Sequence, residues 1–120
     1  MEGDPSLSDD CLFCSIVSGD VPAEIVHSSE HSVAFRDLDP QAPTHVLVIP
    51  RRHEPDLAAL ARADAEATAG LARSIADVAD AEGLGDGYRV VFNTGAQASQ
   101  SVFHCHAHVL GGRTMTWPPG

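Results

Sequence analysis

Hydrophobic and polar positions change period several times along the chain. Cys11, Phe13, Ile16 and Val17 recur at helical spacing after a polar stretch, MEGDPSLSDD, whose last residues Asp9 and Asp10 suit the N-cap of a short helix. Gly19 and Pro22 end that helix. Short alternating or apolar runs follow over residues 24–28, 32–37 and 45–49, and Pro50 closes the last of them. These read as strands joined by turns rich in Asp, Pro and Ser. From 55 to 82 the alanine content rises, and Leu57, Leu60, Leu71, Ile75 and Val78 return on one side of a helix. Asp64, Glu66, Arg73, Asp77 and Asp80 lie elsewhere on it, so this segment is the main helix, closed by Gly83 and Gly85. Two further strands are expected at 88–93 and 102–110, with a polar loop at 94–101 between them. Strands, helix, strands with short gaps favour hairpins over parallel crossovers, so the expected fold is α+β with a mainly antiparallel sheet.

Composition adds scale to this picture. The chain has 120 residues, 43% hydrophobic and 20% charged, which suits one soluble domain over residues 11–120 behind a polar tail at 1–10. Seven basic residues, all arginine, stand against 17 acidic ones, a net charge of −10. That field repels long phosphate backbones and anionic lipids, so extended nucleic acid and membranes are not expected partners. A single small phosphate can still be held by local donors. The acidic start lacks a signal peptide's basic and apolar regions, and the aliphatic run at 46–49 is far shorter than a membrane span, so a cytoplasmic protein is the default expectation. Three cysteines are too few and too uneven for a disulfide framework, which points them to metal binding or packing.

The stretch VFHCHAHVL at 102–110 carries the chemistry. If it is a strand, His104, His106 and His108 point one way at ~7 Å intervals, while Phe103, Cys105, Ala107 and Val109 point to the core. Three surface histidines by coincidence is the bland reading. Against it, three of only seven histidines share one face beside small apolar residues. Two functional readings compete: a three-imidazole zinc centre with an open water position, or an imidazole that attacks phosphorus while its neighbours position the phosphate and manage protons. The preceding loop, NTGAQASQS at 93–101, offers amide, hydroxyl and backbone N–H donors suited to an oxyanion, which favours phosphoryl or nucleotidyl transfer.

The segment QSVFHCHAHVLGGR at 100–113, the ending WPPG, and the upstream FRDLDPQAPTHVLVIP at 35–50 resemble the histidine triad (HIT) proteins, and among them the HINT branch. The likeness runs from about Cys11 to the last residue. It implies five mainly antiparallel strands with one long and one short helix, and a homodimer that joins two sheets into one. It also implies hydrolysis of purine nucleoside 5′-phosphoramidates and related AMP conjugates. By position, His106 is the implied nucleophile towards the α-phosphorus, forming a nucleotidyl-histidine that water cleaves. Ser101 and His108 match phosphate-touching positions, with backbone groups of Ser99 and Gln100 beside them and Asn93 also at the nucleotide. His45 and His104 match a proton-relay pair. Asp37 matches the ribose-binding acid, and Leu12, Phe13, Ile16, Phe35 and Leu38 the apolar slot for the base. No cofactor is implied for the chemistry itself. An AMP-binding regulatory module without catalysis is the alternative from another class.

Cys11-Leu12-Phe13-Cys14 has the spacing of zinc ligands. Two packed cysteines are the plain alternative. Relatives with this N-terminal pair imply a structural zinc completed by two histidines, here His53 and His104. A His104 that binds zinc is not free to relay protons, so those two roles exclude one another. Cys105 is expected in the core, and His27 and His31 in solvated turns.

Overall fold

The computed structural model describes residues 10–120; the tail up to residue 9, with Asp9 of the expected cap, lies outside the described residues. Helix α1 spans Leu12–Ser18. Its N-cap is Cys11 rather than Asp10, because Cys11 is the extended residue just ahead of the first helical turn and its thiol accepts from Cys14 N, three residues on, at 3.4 Å. Gly19 ends it in the left-handed region, at φ 87°, donating to the Ile16 carbonyl.

Five strands follow the alternation seen in the sequence: β1 Ile25–Ser28, β2 Ser32–Arg36, β3 Thr44–Pro50, β4 Tyr88–Phe92 and β5 Ala107–Gly111. They form one sheet in the order β1-β2-β3-β5-β4, antiparallel at every junction. The register sets Phe35, Leu47, His108 and Val91 side by side on one face.

The expected main helix is two helices, α2 Leu57–Ala63 and α3 Ala65–Ala81, so the fold has two short helices and one long one. Asp64 makes the break. It sits in extended conformation, its N–H closes α2 on Leu60 O, and its carboxylate takes the Ala67 N–H at 2.9 Å to start α3. The expected strand from Val102 also shortens, because pairing of β5 with β3 starts only at Ala107, opposite Val48. Pro50 has no N–H with which to extend that ladder, and Cys105 N donates instead to Glu54 O at 2.7 Å. Phe103 is accordingly 55% exposed rather than in the core.

Two apolar clusters flank the sheet. The larger joins Ala34, Val46, Val48, Cys105, Ala107 and Val109 to Leu60, Ala67, Leu71, Val78 and Ala79 of α2 and α3. Cys105 is buried there as expected, and burial, with Asp56 nearby, pushes its thiol up to about 12. The smaller cluster, Val33, Phe35, Leu47 and Ile49, is covered by Phe13 of the short α1. A seven-residue helix covers only part of a sheet face, and the histidines stand on the remainder. No helix among the described residues is long and apolar enough to cross a membrane.

Two histidines depart from expectation. His27 lies half-buried in β1, its Nε2 buried without a hydrogen-bond partner among the described residues. His31 packs against α3 where Gly70 has no side chain, and a Cβ there would come within 2.7 Å of the His31 Cβ and ring. Gly70→Ala is therefore expected to destabilise the fold by about 1–3 kcal/mol, read as a lowered urea midpoint at unchanged slope. A Gly70→Ala protein as stable as wild type would show that His31 has somewhere else to go.

Candidate functional site

The open half of the sheet face holds three imidazoles whose protonation patterns follow from their neighbours. His106, 7% exposed, has Nδ1 2.8 Å from the His104 carbonyl. A carbonyl only accepts, so Nδ1 carries the hydrogen and Nε2 is left with a free lone pair. His45 Nδ1 accepts the Gln41 backbone N–H at 3.0 Å, which puts its hydrogen on Nε2. That Nε2 is 2.8 Å from His108 Nδ1, so His45 donates and neutral His108 carries its hydrogen on Nε2. Asp37 Oδ2 lies 3.5 Å from the same His45 nitrogen, and its Oδ1 accepts from Asp39 N at 2.8 Å. The sheet thus presents a bare nitrogen on His106 beside an N–H donor on His108, with ring centroids 5.0 Å apart.

Burial favours the neutral forms of His108 and His45. His108 is pushed down to about 4, first by burial and then by the neighbouring His106 and His45, against an upward pull from Asp37. His45 is lowered by burial, partly offset by Asp37 and Asp39. Between its unfolded value of ~6.5 and about 4, the unfolded chain binds a proton that folded His108 refuses, so stability falls as pH drops through that window and is level above it. The expected slope for this group is at most about 1.4 kcal/mol per pH unit. Urea titrations at several pH values should show a flatter acid limb in His108→Gln; an identical limb would assign the slope to other groups.

Beside the imidazoles lies an apolar cleft of about 220 Å³ lined by Leu12, Phe13, Ile16, Phe35, Leu38 and Leu47, with Asp37 at its edge. It unites all five residues expected to form the base slot, although Leu38 is fully exposed at the rim. Leu47, together with Val21, Pro22 and Ala23, was not anticipated as lining. Leu47 shares a face with Phe35 in the register, a signal the β2–β3 pairing would have given. Phe13 connects cleft and histidines, its ring 5.5 Å from Phe35 and 5.1 Å from His106. A larger, open depression of about 570 Å³, between residues 83–89 and 112–115, is lined by no histidine or cysteine.

The loop before the histidines is built differently from expectation. Ser99 and Gln100 donate their backbone N–H groups to Ala96 O and Gly95 O, so these amides are engaged within the loop. The Gln100 side chain is buried and holds the loop shut: Oε1 accepts from Gly95 N at 2.8 Å, and Nε2 donates to Pro55 O at 2.7 Å and Val102 O at 3.1 Å. Ser99, at φ 64°, and Ser101 are exposed, and Asn93 is half-buried at the end of β4.

A second cluster sits behind His106. Cys11, Cys14, His53 and His104 place one donor atom each within 4.8 Å of all the others. His104, fully buried, donates Nε2–H to Pro50 O at 2.8 Å, which leaves the Nδ1 lone pair facing the cysteines. Nδ1 is 3.4 Å from Cys11 Sγ, 3.5 Å from Cys14 Sγ and 3.2 Å from His53 Nδ1, and Cys14 Sγ is 3.3 Å from His53 Nδ1. A zinc tetrahedron has N–N edges of about 3.3 Å and S–N edges of about 3.6 Å from its ordinary bond lengths, close to these four distances, so the donor set fits that ion. Burial first, opposed by the bond to Pro50, drives His104 down to about 4 and keeps it in the neutral, ligating form.

The structure places His104 with Cys11, Cys14 and His53. Both of its nitrogens are engaged, and the partner of His45 is His108. The three imidazoles at 104, 106 and 108 do not converge on one point, since His104 Nδ1 faces the cysteines and His106 Nδ1 faces a carbonyl.

Residues 18–115 match the family model described as the HIT domain. The chain is 46% identical over 112 residues to a 14 kDa zinc-binding protein of Zea mays, covering 91% of this chain and 87% of that one. Its fold is similar to that of a HIT family hydrolase from Legionella pneumophila, with TM-score 0.88, 46% identity, and coverage of 92% of this chain and 100% of the other. It is also similar to a histidine triad protein from Clostridium difficile, with TM-score 0.85, 32% identity and 97% coverage of both chains.

Proposed function

Because the chain belongs to the HIT domain family, we propose that it is a HINT-branch nucleotide hydrolase. It cleaves purine nucleoside 5′-phosphoramidates and related AMP conjugates through a covalent nucleotidyl-histidine. The observation that carries this reading is the His106 ring, whose Nδ1–H is fixed on the His104 carbonyl so that Nε2 is the nucleophilic nitrogen.

In this reading the purine enters the apolar cleft, the ribose hydroxyls donate to Asp37, and His108 Nε2–H and the Ser101 hydroxyl donate to the phosphate oxygens. His106 Nε2 attacks the α-phosphorus, and the bond from phosphorus to the amine nitrogen breaks as the new N–P bond forms. The adduct is an imidazolium, and the His104 carbonyl stabilises it by accepting the retained Nδ1–H. The leaving amine takes up one proton from solvent. Water then attacks phosphorus, the N–P bond to His106 breaks, and the proton lost by that water goes to solvent as AMP leaves, so neutral His106 is restored. Asn93 and Ser99 belong to the nucleotide's surroundings, and Gln100 acts by closing the loop.

Cys11, Cys14, His53 and His104 hold a structural zinc in this reading. With four protein donors it keeps no open position for water, so it fixes α1 against the segment bearing His106. His104 is then a ligand whose carbonyl accepts from His106, rather than a proton relay, and His45 acts through His108. A homodimer completes the reading. β4 is an edge strand with Tyr88 and Val90 exposed, the geometry by which a second copy can extend the sheet.

Incubation with adenosine 5′-phosphoramidate tests the function, with AMP measured by chromatography. Release of AMP that continues in the presence of a chelator is expected. No AMP from folded protein would leave the non-catalytic AMP-binding module as the better account. Asp37→Asn should lower the preference for the ribonucleotide over its 2′-deoxy analogue by about tenfold, since a lost charged acceptor costs on that order; an unchanged ratio would place the ribose elsewhere.

A further inference from the structure

Helix α1 contributes to two sites at once. Cys11 and Cys14 face His53 and His104, whereas Leu12, Phe13 and Ile16 form a wall of the apolar cleft. The Phe13 ring lies where they meet, with centroid distances of 6.0 Å to His104, 5.1 Å to His106 and 5.5 Å to Phe35. Its contacts to both histidine rings are edge-on, at 72° and 87°. Seven residues are too few for a helix to hold its own shape in water, so the side-chain anchors of α1 decide where it sits. One anchor is the thiol pair at its first turn. The others are the apolar contacts of Phe13, Ile16 and Val17 on β2 and β3.

We propose that Phe13 couples the two sites through α1: a nucleotide in the cleft tightens the divalent cation held by Cys11, Cys14, His53 and His104, and the cation tightens the nucleotide. This rests on the nucleotide and zinc assignments made above. With the cation bound, both cysteines are tied to His104, and the wall of the cleft stands ready-made. Without it, the first turn of α1 loses its anchor, and a nucleotide that packs on Leu12, Phe13 and Ile16 must also order the helix, which weakens binding. Linkage makes the effect reciprocal, so the factor by which AMP raises zinc affinity equals the factor by which zinc raises AMP affinity. The expected factor is about tenfold, within the ordinary range for coupled sites. A cation that merely stabilises the fold would show no dependence on cleft occupancy.

Two independent measurements close the cycle. Zinc affinity is read by competition with a chromogenic chelator, with and without saturating AMP, the weak affinity of AMP itself for zinc being measured in a protein-free control. AMP affinity is read by calorimetry on zinc-loaded and zinc-stripped chain, with near-ultraviolet circular dichroism reporting the fold. Equal factors near tenfold are expected in wild type, shrinking below about twofold in Phe13→Leu, whose own AMP affinity also falls because the ring lines the cleft. AMP binding with unchanged zinc affinity overturns the coupling and leaves the nucleotide site standing. Absence of AMP binding to the zinc-loaded chain overturns the nucleotide assignment and the coupling with it. If the stripped chain unfolds, the chelator arm on Phe13→Leu decides: a factor as large as in wild type means that wholesale folding carries the effect, and contradicts the role given to Phe13.

Discussion

His106→Ala is expected to bind AMP with nearly wild-type affinity and to lose turnover of adenosine 5′-phosphoramidate by at least about 10⁴-fold, the scale on which enzymes lose rate when a covalent nucleophile is removed. The split between binding and rate follows from where the ring sits. His106 meets the cleft through the edge of Phe13, while the cleft itself is walled by Leu12, Phe13, Ile16, Phe35 and Leu47. Truncating His106 therefore removes the attacking nitrogen and little of the surface that would hold a base. The Nδ1–H bond to the His104 carbonyl would vanish too, but that carbonyl acts on charge that appears only once phosphorus is bound to the ring. A variant that retained a tenth of the wild-type rate would move the nucleophile elsewhere. Steady-state rates alongside calorimetric AMP titrations decide between these outcomes.

Cys14→Ser is expected to lose zinc and to lower the melting temperature by about 10–20 °C. Breaking a buried, fully ligated centre costs several kcal/mol, and each kcal/mol moves a domain of this size by a few degrees. Cys14 is buried against both histidines of the cluster, and its backbone N–H meets Cys11 Sγ, so one substitution weakens the ion's cage and the start of α1 together. The loss should appear as zinc missing from purified protein by elemental analysis and as a lower thermal midpoint. Cys105→Ser offers the contrast, because its thiol lies on the opposite face among the helices, and zinc content should not change. Full zinc content in Cys14→Ser would place the metal outside this cluster.

Much of the site was visible in the chain because period-two alternation is a local property. His104 and His106 do share a face with the ring of Phe13, and Cys105 and Ala107 do face the helices. The ladder itself was not local. Its end depends on Pro50, fifty-odd residues away, and that end releases residues 102–106 to turn His104 towards the cysteines. The His45–His108 pair was likewise out of reach, since it needs the β3–β5 register, in which Leu47 rather than His45 stands opposite His108. Asp64 escaped notice for another reason. Apolar spacing runs in helical phase on both sides of it, and one carboxylate in extended conformation interrupts the backbone without interrupting the pattern. The loop at 93–101 read correctly as polar, but which donors remain available is set by its internal turns and by the buried Gln100 amide.

A rapid-quench reaction followed by mass spectrometry of the protein tests the central claim most directly. Wild-type chain mixed with adenosine 5′-phosphoramidate and stopped in acid-free denaturant during turnover should carry one adenylyl group, mapped by peptide fragmentation to the imidazole of His106. If AMP accumulates while the protein mass stays unmodified at every time sampled, direct attack by water replaces the covalent route, and the role assigned to His106 Nε2 is contradicted.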